Sequence, residues 1–104
     1  MELILVRSGG ELRALLSGEL DQHSAKAVRD PLDAALAEGD FKRLVFDMKD
    51  VTFMDSSGIG VVLGRYKRIA AAGGSMSVIN AGGSVEKVLR MSGVYKLCKE
   101  RRGS

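Results

Sequence analysis

Val51-Thr52-Phe53-Met54-Asp55-Ser56-Ser57-Gly58-Ile59-Gly60-Val61-Val62-Leu63-Gly64-Arg65-Tyr66 is the stretch that decides how this chain folds. Its first four residues are rich in β-formers. From about Ser57 to Ala72, Ile59, Val62, Leu63, Tyr66, Ile69 and Ala70 recur at helical spacing, and Gly73-Gly74 then stop the run. A strand that hands over directly to a helix is half of a parallel crossover unit, so the sheet it belongs to contains parallel pairing.

Upstream, Arg43-Leu44-Val45-Phe46-Asp47-Met48 has too many apolar neighbours for a half-wet strand and reads as the middle of a sheet. Leu3–Val6 and Leu12–Leu16 flank Ser8-Gly9-Gly10, the pattern of an antiparallel hairpin. Between them and the central strand, Ala25, Val28, Leu32, Ala35 and Leu36 define a helix, with Gly39 placed to end it in a left-handed cap. Pro31 interrupts that run, which predicts a kink or a restart with Asp30 as N-cap. Downstream, Met76–Ile79 reads as a strand. Gly82-Gly83-Ser84 opens a helix with Val85, Val88 and Leu89 inward and Gly93 at its end, and Val94–Cys98 is expected as a final edge strand. The fold class is therefore α/β, a mixed sheet of four to five strands with helices packed mainly on one side.

Size and composition agree with one domain. A chain of 104 residues buries roughly 65% of its unfolded surface, enough for a core without staples. Cys98 is the only cysteine, which excludes a disulfide framework and points to a reducing, cytoplasmic setting. The start, Met1-Glu2-Leu3-Ile4-Leu5-Val6-Arg7, lacks a basic leader and is too short an apolar run to cross a membrane. The net charge of +3 is carried by Lys96, Lys99, Glu100, Arg101 and Arg102 alone, so residues 1–95 sum to zero and 99–104 are expected as a disordered basic tail. With aromatics at 5% and no basic face, nucleic acid is not an expected partner.

The chemistry concentrates at Asp55-Ser56-Ser57-Gly58-Ile59-Gly60, where side chains and free amides crowd the positive end of a helix dipole. The plain reading is a helix cap. A cap needs one such residue, however, and three stand in a row. At about 100° per residue, Gly60, Val61, Gly64 and Arg65 project away from the Ile59/Val62/Leu63/Tyr66 stripe. Glycine in an exposed helix costs about 0.8–1 kcal/mol against alanine. The pair at 60 and 64 either accommodates a tight turn of its own chain or leaves bare backbone for another protein to lie against. Competing chemistries fit less well. The glycine spacing is wrong for a dinucleotide loop, and Asn80 stands where a ribose-binding acid would be expected. The sole histidine, His23, lies in a different loop, and no serine sits in a nucleophile elbow. Asp47, Asp50 and Asp55 have no recognisable ligand spacing, so no metal and no cofactor is expected.

The run Phe53–Lys67, together with Gly18-Glu19-Leu20-Asp21-Gln22-His23-Ser24-Ala25 and Met91-Ser92-Gly93-Val94-Tyr95-Lys96, closely resembles the STAS-domain anti-sigma factor antagonists over nearly the whole chain. The resemblance implies a STAS-like fold and a phosphorylatable protein ligand rather than an enzyme, with Ser56 as the phosphoacceptor. It implies a partner switch of the sporulation type. The unphosphorylated protein, free as a monomer, binds a nucleotide-bound anti-sigma factor that is itself the serine kinase, and a serine phosphatase reverses the modification. The expected contact surface is Gly18, Glu19, Leu20, Asp21 and His23 from one loop, with Asp55, Ser57, Gly58, Gly60, Val61, Gly64 and Arg65 from the other. Alternatives are an antagonist for a general-stress sigma factor, a module of another regulatory complex, or a nucleotide-binding STAS module. The chain departs from the family at its end, where Lys99–Ser104 carries no apolar periodicity for the further helix that family members have.

Overall fold

A computed structural model describes residues 1–98, so the expected basic tail at 99–104 lies outside the described residues. The elements run β1 (Glu2–Ser8), β2 (Glu11–Leu20), α1 (Ala25–Glu38), β3 (Arg43–Met54), α2 (Ser56–Ala71), β4 (Ser75–Ile79), α3 (Gly83–Ser92) and a short 3-10 turn, Val94–Leu97. The four strands stand in the order β1-β2-β3-β4, with β1 antiparallel to β2 and both β2·β3 and β3·β4 parallel. The hairpin forms at Gly9 and Gly10, whose φ values of 52° and 84° suit glycine and give the tight turn its twist.

The register places Leu12, Leu44 and Met76 in one row and Ala14, Phe46 and Val78 in the next. All six are buried in the core. Val28, Leu32 and Ala35 of α1, Val62 and Ile69 of α2, and Val85 and Leu89 of α3 join the same cluster. The helices therefore cover this face of the sheet. The opposite face carries Ile4 and Val6 exposed, which is tolerable in a partly antiparallel sheet.

Three local expectations are corrected. Helix α1 runs unbroken through Pro31, and Asp30 pairs with Lys26 and Arg29 instead of capping a second helix. Pro31 sits on the exposed side, while Val28, Leu32 and Ala35 anchor the helix to the core on either side of it. Packing there outweighs the lost backbone bond, a penalty of about 3 kcal/mol. Gly39 is extended (φ −108°, ψ 167°), not left-handed, and its need for glycine is steric: a Cβ would lie 2.2 Å from the Phe41 ring. Finally, Val94–Leu97 forms a 3-10 turn rather than an edge strand. Gly93, at φ 86°, reverses the chain and tucks Val94 into the core, so its β-branched side chain marks burial and not sheet pairing.

Candidate functional site

Strands β2 and β3 end side by side, with Glu19 opposite Phe53 and Leu20 opposite Met54. The loops that follow, one entering α1 and one entering α2, are thereby neighbours at the carboxyl edge of the sheet. Open α/β sheets commonly place their ligand sites at such an edge.

The second loop is a single residue, Asp55. Its Oδ1 accepts hydrogen bonds from the backbone N–H of Ser57 at 2.8 Å and of Gly58 at 3.2 Å, so Asp55 is the N-cap of α2. The capping role is thus filled by the carboxylate, and both hydroxyls remain. Ser56, the first residue of the helix, is exposed, and its side chain makes no hydrogen bond to another described residue. A nucleophilic hydroxyl held in the open on a rigid helix end is accessible to a modifying enzyme.

The first loop is organised by a reciprocal pair. Asp21 Oδ1 accepts from the N–H groups of His23 (3.0 Å) and Ser24 (3.1 Å), while Ser24 Oγ accepts from the Asp21 N–H (3.0 Å) and donates to the Glu19 carbonyl (2.7 Å). Desolvation is the largest influence on the Asp21 carboxyl and pushes its pKa up. The bonds from Ser24 and His23, with the nearby imidazole, together outweigh it, so the net shift is below the ordinary carboxylate value. Gly18, at φ 104° and beside a register irregularity in β2, bends the strand so that Glu19 faces solvent.

Not every expected contact residue is on the surface. Leu20 is fully buried in the core. Gly58 is also buried, and a Cβ there would lie 2.7 Å from the Leu20 carbonyl oxygen and 2.8 Å from Met54 Cγ. Both shape the site from beneath, because α2 starts hard against the end of β2. Val61 (4% exposed) and Arg65 (8%) do not project to solvent as the helical projection predicts, since α1 lies along that side of α2. Arg65 Nε lies 2.9 Å from Asp33 Oδ1 of α1, with Arg68 Nε at 3.6 Å from the same oxygen. The Arg65 approach is charge to charge, its N–H not aligned on the oxygen as a hydrogen bond. Burial lowers the Arg65 pKa, as do the neighbouring Arg68 and Arg29, against the stabilising charges of Asp33 and Asp30.

Gly60 and Gly64 are another matter. A Cβ at either position would meet nothing within 4 Å. Both have ordinary helical backbone, so the chain's own packing does not call for glycine. One exposed residue of this edge was not singled out by motif: Phe53, 45% exposed and two residues before Asp55. No simple alternation marks it, since Thr52 and Phe53 are both exposed between the buried Val51 and Met54.

The sequence profile of the STAS domain matches residues 3–101. The chain belongs to the STAS-domain family. Among relatives, it is 44% identical over 85% of its length to the anti-sigma F factor antagonist of Paenibacillus polymyxa, covering 75% of that protein. It is 32% identical over 78% of its length to the anti-sigma-B factor antagonist of Bacillus subtilis strain 168, covering 70% of it. Among solved structures, the phosphorylated form of the Bacillus cell fate determinant SpoIIAA superposes with a TM-score of 0.77 at 27% identity, over 99% of this chain and 92% of that one. The unphosphorylated form of SpoIIAA gives 0.72 at 28% identity, over 86% and 83%. This STAS domain has no helix, among the described residues, long and apolar enough to cross a membrane.

Proposed function

We propose that this STAS domain is an anti-sigma factor antagonist whose binding is switched by phosphorylation of Ser56. The observation that carries the reading is the division of labour at the start of α2: Asp55 caps the helix, and Ser56 is left exposed with an unbonded hydroxyl. A phosphate there adds about −1.5 to −2 charges. Because Asp55 already holds the Ser57 and Gly58 amides, the new dianion stands in solvent beside a carboxylate. A partner lying on this edge must desolvate that charge, and a few kcal/mol changes affinity a hundredfold or more. The fold need not respond, in keeping with the likeness of this chain to both the unphosphorylated and the phosphorylated SpoIIAA.

In this reading the protein is a substrate and ligand, not a catalyst. Its partner is a nucleotide-bound anti-sigma factor acting as serine kinase, a serine phosphatase resets it, and it works as a cytoplasmic monomer when free. Glu19, Asp21, His23, Asp55, Ser57, Gly60 and Gly64 supply the contact surface. The 44% identity to an anti-sigma F factor antagonist, against 32% to an anti-sigma-B factor antagonist, favours the sporulation-type reading over the general-stress alternative. Incubation with the cognate anti-sigma kinase and ATP is expected to add one phosphate by mass, and Ser56→Ala to abolish it. Equal modification of the alanine variant would show that another residue is the acceptor. Capture with each candidate anti-sigma factor separates the two types.

A further inference from the structure

Beside Ser56, α1 and α2 enclose an open groove of about 430 Å³, lined by Ala25 and Arg29 of α1 and by Ser57, Gly60, Val61 and Arg65 of α2. Its floor is apolar at Val61 and Ala25, and its charged lining residues are both arginines. One of them is unusual. Arg65 is 8% exposed, its contact with Asp33 is the only ion pair it makes among the described residues, and its Nε is buried without an aligned hydrogen-bond acceptor. Asp33 is itself shared with Arg68, and Asp30 is shared between Lys26 and Arg29. In these ion pairs Lys26, Arg29, Arg65 and Arg68 share the two carboxylates of Asp30 and Asp33. A guanidinium this deeply buried normally finds its hydrogen-bonding complement, and carboxylate is the group its planar fork matches.

Residue 60 leaves the groove open by having no side chain. Alanine is the better helix former, and its Cβ would enter open space. The groove is open to solvent and its lining is apolar as well as charged, so an acidic side chain carried on a partner's surface suits it better than a free anion.

We propose that the groove between α1 and α2 receives an acidic side chain of the anti-sigma factor, seated over Gly60 with Arg65 and Arg29 as its counter-ions. This rests on the antagonist reading above, and extends the binding surface from the Ser56 edge along the α1–α2 seam. It gives the interaction a second electrostatic element, positive where the phosphorylation edge turns negative.

Titration calorimetry of the cognate nucleotide-bound anti-sigma factor with the full chain tests this. Arg29→Glu alters an exposed residue and should melt close to the parent, and Gly60→Leu, whose Cβ meets nothing and which favours the helix, should melt no lower than the parent, which thermal denaturation verifies. Each is expected to weaken binding at least tenfold. A single Asp→Lys or Glu→Lys change on the anti-sigma factor is expected to restore the affinity of the Arg29→Glu variant. If the parent binds and is phosphorylated while both variants bind equally well, the groove proposal is overturned and the antagonist reading stands. If Arg29→Glu affects only the phosphorylated form, the groove serves the protein's own phosphate, and the proposal is again overturned. If the parent itself fails to bind, the antagonist reading fails, and the proposal with it.

Discussion

The Asp55 carboxylate accepts the Ser57 backbone N–H at 2.8 Å, and this one bond determines what the neighbouring serine is free to do. Were Ser56 the cap, its oxygen would be turned back onto the helix amides. With Asp55 in that place, the α2 dipole is complemented and the Ser56 hydroxyl makes no hydrogen bond among the described residues. Removal of the cap by Asp55→Ala should destabilise the protein by about 1 kcal/mol, and Asp55→Asn, which keeps the acceptor, should cost less. Urea denaturation of the three proteins at neutral pH checks the order. A cost for alanine below that of asparagine would show that the carboxylate is not the working cap.

The three glycines of early α2 should respond in opposite directions. Gly58 faces the Leu20 carbonyl, where a Cβ would come to 2.7 Å of backbone that has little room to move. Gly58→Ala should therefore cost about 1–3 kcal/mol by overpacking. Gly60→Ala and Gly64→Ala meet nothing and should each stabilise by about 0.8–1 kcal/mol through helix propensity. Stability measurements on the three single variants are sufficient, and stabilisation by Gly58→Ala would mean that α2 sits further from β2 than described.

The contrast among those glycines also shows what could be read from the sequence. The hairpin, the central β3 and the handover into α2 all follow from periodicity and local turn chemistry, which act within a few residues, whereas Ser56 is picked out from its neighbours by the family resemblance. The side of α2 that carries Val61 and Arg65 is not legible from its apolar stripe, which by itself implies a single packing neighbour. In the fold α2 packs against both the sheet and α1, so its buried arc is wider than the stripe. Arg65 in particular reads as a surface residue by its charge. Its burial depends on Asp33, more than thirty residues earlier on another helix, and no local pattern in the sequence pairs them. The family resemblance puts Leu20 at the contact surface, whereas the strand alternation of Leu12, Ala14 and Leu16 predicts its burial.

The Asp33–Arg65 pair gives a third prediction. Asp33→Ala would leave a guanidinium that is 8% exposed without its nearest counter-charge, and should cost about 3 kcal/mol, the low end for breaking a buried pair, because Asp33 is itself partly solvated. Arg65→Met combined with Asp33→Ala should recover most of that loss by substituting apolar packing for the uncompensated charge. A double variant less stable than Asp33→Ala alone would show that the arginine stem, rather than its charge, holds the helices together.

The last prediction concerns acid. The Asp21 carboxyl is held below its ordinary value of 3.8 by bonds that favour the ionised form, after overcoming a desolvation effect of opposite sign. A depressed folded-state pKa means that the unfolded chain binds the proton more readily, so this group's contribution to stability is fully present above pH 3.8. It declines as the pH falls below that value and is lost once the folded-state carboxyl is itself protonated. Asp21→Asn retains an oxygen that can accept from His23 and Ser24 but cannot titrate. It should therefore show a shallower fall in stability below pH 3.8 than the parent, and the two curves should run parallel above it. Denaturation midpoints at a series of pH values between neutral and strongly acidic would detect this, and curves that stay parallel into acid would place the Asp21 carboxyl outside the hydrogen-bonded turn that orders the loop beside Ser56.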